Sequence, residues 1–269
     1  MKKLFCLLPL VLAGCGGDPS LSNICSDNPQ LCSDLNSDGW CRRERSELIR
    51  QRYIVDQGKG TDFQYQQYLL LKDTETYSEC IRIASGVIHK NQKDRQSDRG
   101  TAYINSLVAL KALQAQIKNA DELHLLYYRY TRFGDNRALQ AFLAKEGTGA
   151  FNTLELKSML AGHYAKTNKA KTVQLLLEGL ALPREDDKVD PEIYQTLATL
   201  SQQLRHYQEA YLWSKVAADK GVNIDTGALE MLLGRDQSLL DDLQDKAKAI
   251  EKAIEKNQFK TAMAILDNR

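Results

Sequence analysis

The sequence of residues 207–221 is Tyr207-Gln-Glu-Ala-Tyr-Leu-Trp-Ser-Lys-Val-Ala-Ala-Asp-Lys-Gly221. Ala210, Trp213 and Ala217 recur at the three- and four-residue spacing of one helix face, so this stretch predicts a helix with an apolar side. We expect Gly221 to end that helix in the left-handed conformation that glycine adopts without strain. Small residues on either side of a bulky one indicate close packing against other helices.

The same arrangement of small and large residues occurs once more upstream, at a constant offset of 37 residues. The matched pairs are Ala161 with Ala198, Val173 with Ala210, Leu176 with Trp213, and Leu180 with Ala217. A repeat of this length predicts helical hairpins that stack on one another, since one hairpin cannot bury its apolar side alone.

The remaining sequence also has helical periodicity, and no stretch predicts a strand. Phe63–Leu71 and Tyr77–Ile88 are predicted as helices that separate or kink at Lys72–Thr74. A strong helix is predicted over Tyr103–Ile117. Its apolar side consists of Ile104, Leu107, Val108, Leu110 and Leu113. The predicted fold class is therefore all-α.

Residues 121–266 resemble the tetratricopeptide and Sel1-like repeats, whose units are about 34 residues or slightly longer. Residues 207–221 carry the best local match, to the second helix of a Sel1-like unit. The resemblance implies an irregular α-helical hairpin stack, an α-solenoid. It departs from the family pattern because the first helices lack the usual Trp and Gly positions.

The first fifteen residues have the three parts of an export signal. Lys2 and Lys3 are followed by an apolar run over residues 4–12, which is too short to span a bilayer, and by the small residues Ala13 and Gly14. With Cys15 they resemble the lipobox of bacterial lipoproteins, which implies cleavage before Cys15 and acylation of its thiol. Gly16, where an Asp would favour the inner membrane, indicates the periplasmic side of the outer membrane.

This leader gives a domain plan for the chain. We expect a signal peptide over residues 1–14, a lipidated tether over 15–24, a cysteine-containing helical region over 25–120 and the hairpin region over 121–269. Residues 1–14 carry two lysines and no acid, which leaves 34 basic and 35 acidic residues in the mature chain. Because this balance gives no general attraction to phosphate, we expect no nucleic-acid partner.

Four cysteines, Cys25, Cys32, Cys41 and Cys80, would remain in an oxidising compartment, and an even number predicts two disulfides. Cys80 lies in an apolar helical stretch, so at least one bridge should tie the N-terminal loop to that helix. Two pairings are open: Cys25–Cys32 with Cys41–Cys80, or Cys32–Cys41 with Cys25–Cys80.

Between these cysteines, Asp34, Asn36 and Asp38 followed by Gly39 match the first half of a calcium-binding loop, with the Trp40 carbonyl as a further ligand. Arg45 occupies the twelfth position, where such loops carry a bidentate Glu. We therefore favour a turn that caps the helix starting near Trp40. A structural Ca²⁺ ion is the alternative, and no other cofactor is expected.

This cysteine-rich block, the lipobox and the helical remainder together resemble the DUF2989 family of uncharacterised gamma-proteobacterial lipoproteins. The resemblance covers most of the mature chain. It implies an outer-membrane or periplasmic lipoprotein and no known activity.

No residue set predicts catalysis. The sequence favours a lipid-anchored helical scaffold that binds an envelope protein or peptide, while acyl chains on Cys15 hold it to the membrane. Stacked hairpins form extended binding grooves. The predicted contacts are four tyrosines in the hairpin region: Tyr128, Tyr164, Tyr194 and Tyr211. The alternative is an envelope enzyme that acts on the cell wall or on glycans.

Overall fold

The computed structural model describes residues 19–58, 62–87, 93–184 and 188–263, except for the side chains of residues 93–95 and 261. The leader and Cys15 lie outside the described residues. Within these ranges the chain is helical and contains no strand, which confirms the all-α prediction. No described helix combines the length and the apolar character needed to cross a membrane.

The chain divides into two compact units, residues 1–125 and residues 126–269. The sequence had placed this boundary after residue 120. The first unit contains α1 (Leu21–Asp27), α2 (Arg42–Asp56), α3 (Phe63–Ser85) and α4 (Lys93–Gln116), with 3-10 turns at Pro29–Leu31 and Ile117–Asn119. Helix α5 (Leu123–Phe133) crosses the division.

Helix α3 is continuous, although the sequence predicted an interruption at Lys72–Thr74. The reason is local hydrogen bonding: Thr74 donates its hydroxyl to the Leu70 carbonyl at 2.6 Å and Thr76 donates to Lys72 at 2.9 Å. Both threonines thereby satisfy their polar groups on the preceding turn and do not compete with the helix.

Two disulfides fix the first unit, Cys25–Cys32 and Cys41–Cys80, with Cα–Cα distances of 5.7 and 5.9 Å. This is one of the two pairings left open by the sequence. The first bridge closes α1 onto the 3-10 turn that follows it. The second ties the start of α2 to α3, as expected from the helical position of Cys80, and both border the apolar core of this unit.

Helix α4 begins about ten residues earlier than the sequence predicted. The early turns contain Arg99, whose side chain is completely buried. Its guanidinium donates to the Ala84 carbonyl at 2.8 Å and lies 3.3 Å from the Asp38 carboxylate. Because these partners neutralise the charge, a segment that looks like a polar loop in sequence can pack against α3.

The second unit is a series of helical hairpins. After α5 the helices are α6 (Asn136–Leu143), α7 (Leu154–Tyr164), α8 (Lys169–Leu180), α9 (Pro191–Gln203), α10 (Tyr207–Asp219), α11 (Gly227–Leu232), α12 (Gln237–Glu255) and α13 (Phe259–Ala262). Helix α8 packs on α7 and α9, and α10 packs on α9, α11 and α12. The predicted hairpin stack is therefore present.

Seven of the eight residues matched at the 37-residue offset are buried, and Val173 is half-buried. Ala161 and Ala198 are buried on α7 and α9, and Leu176 and Trp213 are buried on α8 and α10. The small side chains allow neighbouring helices to approach, and the large ones fill the space between hairpins. Trp213 forms the centre, with its ring centroid 6.2 Å from Tyr194 and 6.1 Å from Phe259.

The C-terminal end of α10 follows the sequence prediction, and the start of α9 is also capped. Gly221 has a φ of 87°, the Gly221 N–H donates to Ala218 and the Val222 N–H donates to Ala217, at 2.9 and 3.0 Å. This is the Schellman arrangement, in which a left-handed residue closes the last turn. At the start of α9, Pro191 occupies the first helical position and the Asp190 carboxylate accepts the Glu192 N–H at 2.9 Å.

Candidate functional site

The four tyrosines predicted to contact a partner lie in different surroundings. Tyr128, Tyr194 and Tyr211 are each at most 3% exposed. Tyr128 packs edge-on against Phe133, and Tyr211 packs into the cluster formed with α11 and α12. These two side chains belong to the core, and a partner contact at either of them stays a prediction. Aromatic residues at helical spacing are buried here because they supply the large volumes between hairpins.

Tyr164 is half-buried and bound within its own hairpin. Its hydroxyl donates to the Glu146 carboxylate at 2.7 Å, and the Lys171 ammonium lies 3.7 Å from the ring centroid. Lys171 also pairs with Glu146 at 2.6 Å. This set of contacts fastens α8 to the segment that follows α6, so Tyr164 already has a structural role.

Tyr194 differs from the other three because it lines a cavity. The cavity has a volume of about 670 Å³ and lies between the start of α9 and the ends of α10 and α12. We call it the α9–α12 notch. Its lining residues are Lys188, Val189, Asp190, Pro191, Tyr194, Lys220, Ile254 and Glu255. Apolar, acidic, basic and phenolic groups thus share one concave surface.

The Tyr194 side chain forms the inner wall of the notch. It is 1% exposed, and its ring lies parallel to the Trp213 indole, with 7° between the planes. Among the described residues its hydroxyl has no hydrogen-bond partner. Burial raises the pKa of this phenol to about 12, so it stays protonated and able to donate. Because Tyr194 lines the cavity and no described group bonds to its hydroxyl, this hydroxyl can donate to an acceptor of a ligand.

The opposite wall is built around Lys220. Its ammonium lies 2.7 Å from Glu251 and 2.6 Å from Glu255. Hydrogen bonds to both carboxylates raise the pKa of Lys220, so the amine is charged at any physiological pH. The three groups together carry one negative charge in excess. They also hold the end of α10 to the end of α12, which fixes the width of the notch.

Arg184 does not line the notch but connects the helix ends next to it. One of its nitrogens donates to the Leu180 carbonyl at 3.0 Å and another donates to the Ile254 carbonyl at 2.5 Å. In return, the Asn257 amide donates to the Arg184 carbonyl at 3.0 Å. The last turns of α8 and α12 are thereby connected, so the notch is supported by helix ends that cannot separate independently.

Sequence reasoning identified Tyr194 but missed the acidic wall. Glu251 and Glu255 lie four residues apart and so must share a face of α12, a signal that was present in the sequence. Their partner Lys220 is more than thirty residues away and is brought there only by the packing of α10 on α12. The sequence also has a run of three carboxylates, Glu185, Asp186 and Asp187, which lies outside the described residues.

The loop that resembles half of a calcium site is occupied by the protein's own cations. Asp34 receives two hydrogen bonds from Arg52, at 2.6 and 2.9 Å. Arg45 donates to the carbonyls of Asn36 and Asp38. Three guanidinium groups thus lie at this loop: Arg52 and Arg99 contact the two ligand carboxylates, and Arg45 contacts main-chain carbonyls between them.

The remaining ligand groups of this loop bond to one another. The Asn36 amide donates to the Asp38 carboxylate at 2.7 Å and to the Trp40 carbonyl at 3.0 Å, and its own oxygen accepts the Tyr77 hydroxyl at 2.9 Å. These residues do not fit a Ca²⁺ ion, because positive groups already fill the loop. Among the described side chains, no group of three or more His, Cys, Asp or Glu could hold a metal.

The loop contains an Asx turn, the interpretation that the sequence favoured, with one difference from the prediction. The Asp38 carboxylate accepts the N–H of Trp40 at 3.1 Å, two residues on. However, α2 begins only at Arg42, after Cys41 in a left-handed conformation, and no side chain caps it. The turn therefore orients the chain into Cys41 and its disulfide and does not itself cap the helix.

Comparison of the sequence with known protein families gives one match. Residues 12–215 match the family described as Protein of unknown function (DUF2989), a match that spans well over half of the chain. The chain belongs to the DUF2989 family. Neither a curated protein nor a solved structure matches the sequence. The DUF2989 match contains Tyr194 and both disulfides, whereas Lys220 and the α12 wall of the notch lie beyond its end at residue 215.

Proposed function

We propose that this DUF2989 protein is a lipid-anchored, non-enzymatic scaffold on the periplasmic side of the outer membrane that binds a peptide segment of an envelope protein in the α9–α12 notch. The observation that carries this proposal is Tyr194, which lines a cavity of about 670 Å³ and whose hydroxyl has no described hydrogen-bond partner. Volumes of this order accommodate ligands the size of a few residues.

The chemistry of the notch suits a peptide. The Tyr194 hydroxyl and the exposed Lys188 ammonium can donate to backbone carbonyls, and the carboxylates of Asp190 and Glu255 can accept backbone N–H groups. Ile254 gives an apolar contact for one side chain. The likeness of the hairpins to tetratricopeptide and Sel1-like repeats also supports peptide capture, since such stacks bind extended segments.

The anchoring part of the proposal is supported by the lipobox at Cys15 and by the two disulfides, which persist in oxidising compartments. Its test is metabolic labelling of cells with an alkyne fatty acid, followed by fractionation of the envelope. We expect label on the wild-type chain and none on Cys15→Ser, which should leave the membrane fraction. Equal labelling of both chains would contradict the proposal.

The binding part is tested by photocrosslinking in cells. A benzophenone amino acid replaces Lys188 at the rim of the notch, and the same replacement at Lys248, exposed on α12, serves as the control. We expect one adduct that is specific to position 188. A peptide from that adduct is then titrated by calorimetry.

In that titration, the expected effect of Tyr194→Phe is about a fivefold weaker affinity, since one hydrogen bond is lost. Tyr211→Phe removes the same hydroxyl from a buried residue outside the notch and should leave the affinity unchanged. Equal affinities for all three proteins would refute binding at Tyr194. Turnover of a glycan fragment by the wild-type chain would instead favour the enzyme alternative.

A further inference from the structure

Helix α4 exposes apolar side chains that the sequence predicted to face the core. Ile104 is 57% exposed, Leu107 42% and Val108 64%. Ala112 and Ala115 continue the same face at the next turns and are also exposed. We call these five residues the α4 stripe.

The opposite side of α4 already fills the core. Ala102, Ser106 and Arg99 are buried there, and Ser106 donates to the Ser78 hydroxyl on α3 at 2.9 Å. Tyr103 and Leu113 also pack against this core, but the open face of the helix still carries the large apolar side chains of the stripe. Surface helices carry polar residues on the open face, so a contiguous apolar stripe indicates a surface that is covered in use.

Along the α4 segment itself, the charges next to the stripe are positive. Lys111 shares the stripe's face, four residues after Leu107, and Lys118 follows beyond the end of the helix; both are exposed. The sequence contains no acidic residue between Asp98 and Asp121. Apolar side chains bordered by lysines are the composition that binds the surface of anionic bilayers.

The length of the tether brings a bilayer to this unit. Pro19 is four positions after Cys15, a span of at most about 14 Å in an extended chain. The carbonyl of Pro19 is 3.4 Å from the Arg50 guanidinium on α2, so the chain leaves from a fixed point on the first unit. A body of about 100 residues has a radius of gyration of about 13 Å, so this unit cannot withdraw from the membrane by more than roughly its own radius.

From these observations we propose that the α4 stripe rests in the headgroup layer of the bilayer to which Cys15 is anchored, with Lys111 and Lys118 on anionic phospholipid. This inference rests on the lipid anchoring proposed above. Because the short tether keeps the stripe at a high effective concentration near the bilayer, even a weak affinity of the stripe for lipid is enough to keep it bound.

The test measures contact of the stripe with the bilayer in a protein that is anchored without acyl chains. The full mature chain carries a histidine tag in place of residues 1–15 and binds vesicles of phosphatidylethanolamine and phosphatidylglycerol that contain a nickel-chelating lipid. Val108→Trp adds a fluorophore to the stripe, and brominated phospholipids quench only indoles that enter the headgroup layer. Met231→Trp, at a residue 58% exposed on α11, is the matched control.

We expect brominated lipid to remove most of the fluorescence added by Val108→Trp and none of that added by Met231→Trp. Replacing phosphatidylglycerol with phosphatidylcholine should reduce the quenching. Unquenched Val108→Trp on tethered vesicles would overturn the inference. So would a dimer in sedimentation that Ile104→Ser with Val108→Ser abolishes, because a second copy would then cover the stripe. Neither result depends on whether Cys15 is acylated in cells.

Discussion

Arg205 has a φ of 64° in the turn between α9 and α10, a left-handed conformation that glycine adopts more readily. The N–H of His206 donates to the Ser201 carbonyl at 2.8 Å, so the turn has the same closure as the one at Gly221. Arg205 is exposed and no described contact uses its side chain. The turn is therefore closed by backbone hydrogen bonds alone, and the Arg205 side chain adds no described contact to it.

We predict that Arg205→Gly stabilises the protein by about 1 kcal/mol, because the left-handed backbone no longer strains a Cβ. Urea unfolding of the two proteins measures the change. Arg205→Ala is the control, since it removes the same side chain but keeps the Cβ, and it should give no gain. A gain for both variants would mean that the arginine charge, and not the backbone, sets the cost.

The Tyr194 hydroxyl gives a second prediction at this scale. Tyr194→Phe should leave the free energy of unfolding unchanged or raise it by up to about 1 kcal/mol, because no described protein hydrogen bond is lost. The control is Tyr77→Phe: that buried hydroxyl donates to the Asn36 side chain and accepts the Asn36 N–H, so its removal should cost about 1–3 kcal/mol. A similar loss for both variants would show that Tyr194 is bonded in the folded protein.

The close approach of α7 and α8 depends on a glycine. A Cβ built at Gly179 would lie 2.9 Å from Leu154 Cδ1 and 3.0 Å from Lys157 Cβ. The same atom at Gly162, on α7, would meet only the Tyr127 hydroxyl, at 2.8 Å. The first neighbour set includes an atom next to the backbone, and the second is the far end of a long side chain that can turn away.

We therefore expect opposite results from two Gly→Ala changes inside helices. Gly179→Ala should destabilise the protein by about 1–2 kcal/mol, since overpacking outweighs the gain of about 1 kcal/mol in helix propensity. Gly162→Ala should be neutral or slightly stabilising. Melting temperatures compare the two directly, and an equal rise for both would show that α8 can move away from α7 at no cost.

Helix positions were predictable from sequence where large apolar residues mark the buried face, as in α9 and α10. Helix α4 shows the limit of that rule. Its periodic residues predicted the helix correctly, but Ile104, Leu107 and Val108 are exposed, whereas Leu113 packs against the core as predicted. The buried face contains Arg99, Ala102 and Ser106, whose burial depends on partners in other elements and leaves no apolar period in the sequence.

The candidate site was less predictable for a related reason. Tyr194 could be named from its position in the hairpin region, but Tyr128 and Tyr211 could not be distinguished from it by spacing. What distinguishes them is the space beside each ring, which arises when the ends of three helices meet. The calcium-like loop was unpredictable for the same reason, because its contacts come from residues distant in sequence. Arg52 reaches it from α2, and Arg99 reaches it from α4.

At the scale of the whole molecule, the disulfides should stabilise the first unit unequally. In the chain-entropy view, the Cys41–Cys80 bridge closes a separation of 39 residues and contributes about 4 kcal/mol, while Cys25–Cys32 closes 7 residues and contributes about 2–3 kcal/mol. The chain has two tryptophans, Trp40 in the first unit and Trp213 in the second, so fluorescence can follow each unit.

We predict that Cys41→Ser with Cys80→Ser lowers the urea midpoint of the first unit more than Cys25→Ser with Cys32→Ser does. A Trp213→Tyr background isolates the Trp40 signal, and a Trp40→Phe background provides the signal of the second unit as the control. The second unit contains no cysteine, so its midpoint should not move. The reverse order of the two double variants would mean that local strain outweighs loop length.

Both bridges join cysteines that are neighbours in the order of the chain, Cys25 with Cys32 and Cys41 with Cys80. Under the export proposed above, the amino terminus would leave the cytoplasm first, and the thiols would meet an oxidase in that same order. Each thiol exchange can therefore seal the native pair before the next cysteine arrives, so maturation needs oxidation but no later reshuffling. Cells that lack a disulfide isomerase should accordingly produce this protein at the same yield as cells that have one.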